Sequence, residues 1–286
     1  MSIRYAPSAT VLWRLLDGGK AGDARILESS RLQDGAKAVV VAYSPPQGAS
    51  PSRVRSLLFN SHEARAVAES MGGDLLQGRE ATPSRVTAAM HDASYIHFAC
   101  HGVFDREAPL EAGLELAPGE SSPLKYERTC VARLTLGQIF ERAHFRRAPL
   151  VVLSACETGI PRVEEVRDEY IGLPAGFLFA GAKSVISTLW PVSDLATWLL
   201  MSEMARGLAS GVGPSEALRR AQESLKHLSA HQAAEQVAQA AMGEEDPERR
   251  EEILKESKRI REAGRTEPYP FASPYWWAGF TVNGLG

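Results

Sequence analysis

Short runs that are apolar at nearly every position alternate along this chain with stretches whose apolar residues recur every three or four positions. The runs are AVVVAY at 38–43, SYIHFA at 94–99, PLVVLS at 149–154, KSVISTLW at 183–190 and WAGFTVN at 277–283. A strand with one wet face alternates apolar and polar side chains, so runs without alternation predict strands covered on both faces. Between them, Thr82 and Pro83 read as an N-cap followed by proline at the first helical position, with Val86, Ala89, Met90 and Ala93 on one buried face. Leu136, Ile139, Phe140 and Ala143 repeat that spacing, as do Ala217, Leu218, Ala221, Leu225 and Leu228 after Pro214. Strands alternating with helices predict an α/β fold, a mostly parallel central sheet flanked by helices.

Two stretches break the rhythm. Between 102 and 148 the order loosens, and a short strand or hairpin is expected around Leu114 to Leu116, in an excursion of the kind that walls a substrate site. From 229 to 267 the chain is first rich in Ala and Gln and then densely charged, with a thin apolar stripe of Ile253, Leu254 and Ile260 and an i,i+4 pair of Glu251 and Lys255. A solvated helical insertion is expected there, or alternatively a docking arm for a partner or substrate. The whole of 1–286 is read as one domain containing this insertion.

Composition narrows the function classes. The 32 Lys and Arg against 35 Asp and Glu leave a formal charge of -3, which gives no reason to expect direct nucleic-acid or anionic membrane binding. No apolar run approaches the roughly 20 residues of a membrane span, and the N-terminus lacks the pattern of a signal peptide. Cys100, Cys130 and Cys156 are too few and too irregular for a disulfide framework and form no CxxC pair for structural zinc. A cytoplasmic protein without metal or other cofactor is expected.

Candidate chemistry sits at the ends of two of the apolar runs. HFACHG, 97–102, and VVLSACETG, 151–159, each end in a reactive residue followed by glycine or a small polar turn. If the two runs are neighbouring parallel strands, His101 and Cys156 emerge side by side at the carboxyl edge of the sheet, where open α/β sheets place their ligands. An ordinary thiol, with a pKa near 8.5, is only a few per cent ionised at neutral pH, so a cysteine nucleophile needs a base beside it. His101 has that role and would then protonate the leaving amine. The backbone N–H groups of Gly102 and Cys156 are candidates for an oxyanion hole, the absent side chain at Gly102 permitting close approach. Taken singly, a cysteine is more often a buried core residue and a His-Gly pair is commonplace; the strand-end context of both raises the pair above that background.

These segments resemble the CHAT domain of the caspase, separase and gingipain clan of cysteine peptidases. The resemblance runs through YAPSATVLWRLL, LLFNSHEARAVAESMGGDLLQGREATPSRV, YIHFACHGVFD, LVVLSACETG, GLPAGFLFAGAKSVISTLWPVSDLAT and SPYWWAGFTVNG. It implies a caspase-like fold, a dyad carried onto His101 and Cys156, endopeptidase activity through an acyl-enzyme, and work beside sensor or repeat modules in bacterial signalling or defence. Two departures stand out. The family's usual strand before the PSATVL-like segment is missing, which reads as a shortened domain or a fragment, and the 229–267 segment is longer than the family's link to SPYWW.

Other residues carry two readings each. Asp194 in LWPVSD matches the acidic position that a separase segment uses to bind a basic P1 side chain, and it also stands where Ser193 would cap a helix and Asp complement its dipole. Trp190 is read as a wall of that pocket or as core, and Glu157 as a lining residue of the cleft. His97 lies four residues before His101 and so on the same strand face, while alternation sends Cys100 to the other; His97 is therefore read as a hydrogen-bonded support rather than a zinc ligand. Asp105 either orients His101 or closes a turn, and Glu169 is read as support for the loop after Cys156. The charged loop at 159–170 suits latency until a partner binds, by analogy alone.

The reading is a cysteine endopeptidase acting on protein substrates and licensed by an activating or sensor protein, or by an upstream repeat domain. The alternatives are a catalytically silent or partner-dependent scaffold for protein–protein interaction and a thiol-dependent hydrolase of small amides.

Overall fold

The computed structural model describes residues 37–46, 56–103, 107–119, 131–154 and 172–285. All five apolar runs contain strands: β1 (Ala38–Ala42), then β3 (Tyr95–Ala99) after an intervening β2 (Asp74–Gln77), then β7 (Leu150–Leu153), β8 (Ser184–Thr188) and β9 (Phe280–Gly284). These form one six-stranded sheet in the order β2-β1-β3-β7-β8-β9. Every pairing is parallel except β8 with β9. In the last run, 277–279 stands outside the strand, which begins at Phe280.

The sequence reading passed over β2. It is four residues long, edges the sheet and stays half-exposed, so it lacks the apolar run that marked the others. Its place depends on the glycines before it: Gly72 closes the preceding helix at φ +61, and a Cβ on Gly73 would meet the Ala38 Cβ at 2.8 Å.

Strict alternation along the central strands divides the core into two layers. On one face lie Val40, Tyr95, Ala99, Val152 and Ile186, packed under α1 (Asn60–Met71), α5 (Asp194–Ala209) and α6 (Pro214–Lys226). On the other lie Val39, Val41, Ile96, Phe98, Cys100, Val151, Leu153 and Val185, packed with α2 (Pro83–Met90), α3 (Leu136–Arg142) and α4 (Leu173–Phe179). Fully burying a valine-sized side chain stabilises by about 1.5–3 kcal/mol, so strands apolar on both faces are what hold the sheet between its helices. The helix starts follow their local chemistry: Thr82 accepts from the Arg85 N–H ahead of Pro83, and Thr135 with Gln138 forms a capping box. Ser193, expected to cap α5, holds the N-cap position without a side-chain capping bond.

The looser stretch contains a second, antiparallel sheet of β4 (Gly102–Val103), β5 (Gly113–Leu116) and β6 (Ala132–Thr135). β4 follows β3 almost at once, so this small sheet springs from the carboxyl end of the histidine strand.

The 229–267 segment is helical, as expected, but it is not a solvated appendage. It forms α7 (Ala230–Met242) and α8 (Pro247–Ala263), and Ala233, Ala234, Val237, Ile253 and Ile260 join the core layer that holds Phe59 and Trp198. Ser257 Oγ donates to the Ala234 carbonyl at 2.7 Å between the two helices. The anticipated stripe is corrected at one position: Leu254 is 48% exposed, while the alanine face of α7 supplies the packing instead. Glu251 and Lys255 do pair, at 2.6 Å. Among the described residues no helix is long and apolar enough to cross a membrane.

Candidate active site

The two strands that carry the candidate motifs are direct neighbours. β3 and β7 run parallel with Tyr95 opposite Leu150 and Phe98 opposite Leu153, and beyond the strand ends the Ser154 N–H donates to the Phe98 carbonyl at 2.9 Å. The carboxyl ends of β1, β3, β7 and β8 therefore share one edge of the sheet. His101 stands at that edge, 3% exposed, with Gly102 following it half-buried in β4. Cys156 lies two positions beyond Ser154 and outside the described residues, as do Asp105, Glu157 and Glu169.

Cys100, adjacent to His101 in sequence, faces the opposite way. It packs with Ile96, Phe98 and Leu116, and burial pushes its thiol well above the ordinary range, with Glu115 and Glu63 adding to the effect. Such a thiol is inert at neutral pH. Among the described residues no cluster of His, Cys, Asp and Glu could hold a metal ion.

His97 sits within a buried polar chain below the edge. Its Nε2 is 2.6 Å from Glu63 Oε1, and its Nδ1 is 3.0 Å from the Tyr95 hydroxyl. An Nε2–H that donates to Glu63 leaves Nδ1 to accept from the phenol, which satisfies all three groups. Exposure is 0% for His97 and 2% for Glu63, so neither has water to fall back on. Glu63 was not picked out from sequence. Its signal was its place in the row Phe59, Glu63, Val67, a carboxylate at helical spacing among residues that turn inward.

Asp194 is at the first position of α5, and its Oδ2 accepts the Phe59 N–H at 2.7 Å, holding the entrance of α1. Burial pushes its carboxyl up to about 6, with the charge of Glu63 contributing, against the opposing pull of the Phe59 and Leu58 amides. From the other side Arg249 of α8 donates to the Leu58 carbonyl at 2.8 Å and reaches Glu244 at 3.4 Å. The segment leading into α1 is thus held between a carboxylate from α5 and a guanidinium from the insertion. His62 adds a further tie, its Nε2 donating to the Ala240 carbonyl at 3.2 Å. Trp190, just past β8, donates its indole N–H to the Tyr275 carbonyl at 3.0 Å and lies against Gly279, where a Cβ would come within 3.0 Å of the ring. Asp194 and Trp190 both follow the carboxyl end of β8, and each is engaged by the chain itself.

The model of the CHAT domain family matches residues 2–285, nearly the whole chain. The chain belongs to that family. This CHAT domain carries an α/β arrangement of a mainly parallel sheet between helices. No curated protein matches the chain. Among solved structures it is similar to the Arg-specific cysteine proteinase gingipain R, at 12% identity and a TM-score of 0.44, covering 67% of this chain and 43% of that one. It is also similar to a complex of the pro- and mature domains of RgpB from Porphyromonas gingivalis, at 13% identity and a TM-score of 0.43, covering 90% and 48%. This CHAT domain therefore spans less than half of either solved chain.

Proposed function

We propose that this CHAT domain is a cysteine endopeptidase in which Cys156 is the nucleophile and His101 its base and then its acid. The observation that carries the reading is the parallel adjacency of β3 and β7 in a register that extends through Ser154. His101 follows Phe98 by three positions and Cys156 follows Leu153 by three, so paired strand ends lead into the two motifs in step. In the first step the Cys156 sulfur adds to the scissile carbonyl carbon as its proton passes to His101. The C–N bond then breaks, the amine leaving with that proton and the acyl group remaining on sulfur. Water, deprotonated by His101, attacks the thioester and releases the carboxylate product and the thiol. The N–H groups of Gly102 and Cys156 would receive the oxyanion, each such donor being worth about 2.7–4 kcal/mol of transition-state stabilisation.

In this reading a basic P1 side chain approaches Asp194, between walls that include Trp190 and Glu157, and shares the carboxylate with the Phe59 amide. His97 supports the histidine strand from below, and Asp105 and Glu169 stand in the flanking loops as supports. The protein works in the cytoplasm, as a single domain with the 229–267 helices as its insertion, and cleaves a few protein substrates when licensed by a partner.

The test is cleavage of a peptide library by wild type, Cys156→Ala and His101→Ala. Both variants are expected to lose activity while keeping the wild-type circular dichroism spectrum and melting transition. Undiminished cleavage by Cys156→Ala excludes the assignment.

A further inference from the structure

The outer flank of α8 carries its cations in a row. Arg250, Leu254, Lys258 and Arg261 follow one another at steps of three or four residues, the spacing that keeps side chains on one side of a helix, and all are exposed. Exposed Arg265 continues the row in the closing turn, where its N–H donates to the Glu262 carbonyl at 3.2 Å. The acids of the helix fall elsewhere. Glu248 and Glu252 share the opposite flank with Lys255 and Arg259, while Glu251 and Glu256 pair with those same two cations. Glu262 reaches Lys258 only at 3.9 Å, and among the described residues no carboxylate pairs with Arg250, Arg261 or Arg265.

Two large apolar side chains are exposed beside these cations. Leu254, 48% exposed, interrupts the row. Met242, 77% exposed, ends α7 two positions before Glu244, whose carbonyl accepts from Arg250 Nε at 2.9 Å. The surface is held from below, since Ile253, Ser257 and Ile260 are buried and Arg249, next to the head of the row, donates to the Leu58 carbonyl at 2.8 Å. A partner therefore meets a backbone that is already ordered, which lowers the cost of binding it.

We propose that this flank of the insertion docks an acidic protein segment, its carboxylates against Lys258, Arg261 and Arg265 and an apolar residue seated on Leu254. Complementary charge sets the register and speeds the encounter. An anionic membrane fits less well, because anchoring scales with apolar area and α8 turns its apolar face to the core. A nucleic acid would use the cations but leave Leu254 and Met242 against phosphates. The inference goes beyond the peptidase reading and does not need it. Because Arg249 also holds the segment leading into α1, a partner seated here bears on the joint between the insertion and the candidate site.

The test is selection from a displayed library of random peptides on the full chain, followed by fluorescence anisotropy of the selected peptides. Peptides rich in Asp and Glu, with an apolar residue every three or four positions, are expected, and their affinity should fall as salt rises. Arg261→Glu combined with Arg265→Glu should weaken them by about tenfold or more. Leu254→Ser should weaken them by about threefold. All three positions are exposed, so both variants should keep the wild-type melting transition. If charge reversal disturbs folding, Arg261→Gln with Arg265→Gln gives the same reading with a smaller loss. A selection without binders, selected peptides without an acidic bias, or acidic peptides bound equally by wild type and variants overturns the proposal. So does tighter binding, lost in the same variants, to vesicles of phosphatidylserine and phosphatidylcholine or to a single-stranded RNA, which would give the surface to lipid or nucleic acid. Since binding needs no turnover, retained cleavage by Cys156→Ala would defeat the peptidase reading and leave this result to be judged separately.

Discussion

Asp194 Oδ2 accepts the Phe59 backbone N–H at 2.7 Å across 135 positions of sequence. One carboxylate thereby joins the start of α5, beyond the β8 edge, to the start of α1, whose Glu63 supports the histidine strand. Fold and candidate site share this joint.

Its pH behaviour follows. An aspartate with an ordinary pKa of 3.8 when unfolded and about 6 when folded binds more protons in the folded state, so stability falls as pH rises between those values. The loss is on the order of 2–3 kcal/mol and is complete above pH 6. Asp194→Asn keeps an acceptor for the Phe59 amide but cannot ionise. Denaturant unfolding of the variant should lose that slope between pH 4 and 6 and match or exceed wild type at pH 7.5. In library cleavage the same variant should lose its preference for Arg and Lys at P1; an unchanged preference would leave Asp194 a purely structural residue.

The chain Glu63–His97–Tyr95 makes a second prediction. Removing one partner of this buried hydrogen-bonded chain leaves the polar atoms of the other unsatisfied, at a cost of about 1–3 kcal/mol. Glu63→Ala and His97→Ala should each be destabilised by that amount, and the double variant by much less than their sum. A double-mutant cycle in urea measures the coupling, expected above about 1 kcal/mol; additivity within a few tenths contradicts it.

A third prediction concerns the insertion. A Cβ on Gly264 would lie 2.4 Å from the Ala230 Cβ, at the point where α8 closes against the start of α7. Gly264→Ala should therefore cost about 1–3 kcal/mol by overpacking. Ala230→Gly in the same chain should restore most of it, read by thermal unfolding. A neutral Gly264→Ala would mean that the two helices are not tightly docked.

Much of this architecture was legible in sequence, and the reasons differ by element. β1, β3, β7 and β8 announced themselves because a doubly covered strand is apolar at nearly every position, and Val39, Val40 and Val41 are all fully buried. The neighbouring of β3 and β7 was readable only through the pair of motifs, since nothing in periodicity says which strands touch. β2 was silent because an edge strand of four residues needs little apolar surface. The docking of α7 and α8 was hidden for another reason: alanines at Ala233, Ala234 and Ala241 bury well yet give a weak amphipathic signal beside so many charges. Ser193 shows the limit of local rules, because Asp194 is drawn to Phe59 and the expected capping bond is not made. Glu63 was the hardest to see, for its burial is decided by strands and helices far away in sequence.

The measurement that bears most directly on the central claim is labelling of the full chain with a peptidyl ketone carrying a basic P1 residue, followed by mass spectrometry of the adduct. The account predicts one equivalent on Cys156, none on buried Cys100, and labelling slowed at least a hundredfold in His101→Ala. Labelling of Cys156 at the rate of a free thiol, unaffected by the loss of His101, would contradict it.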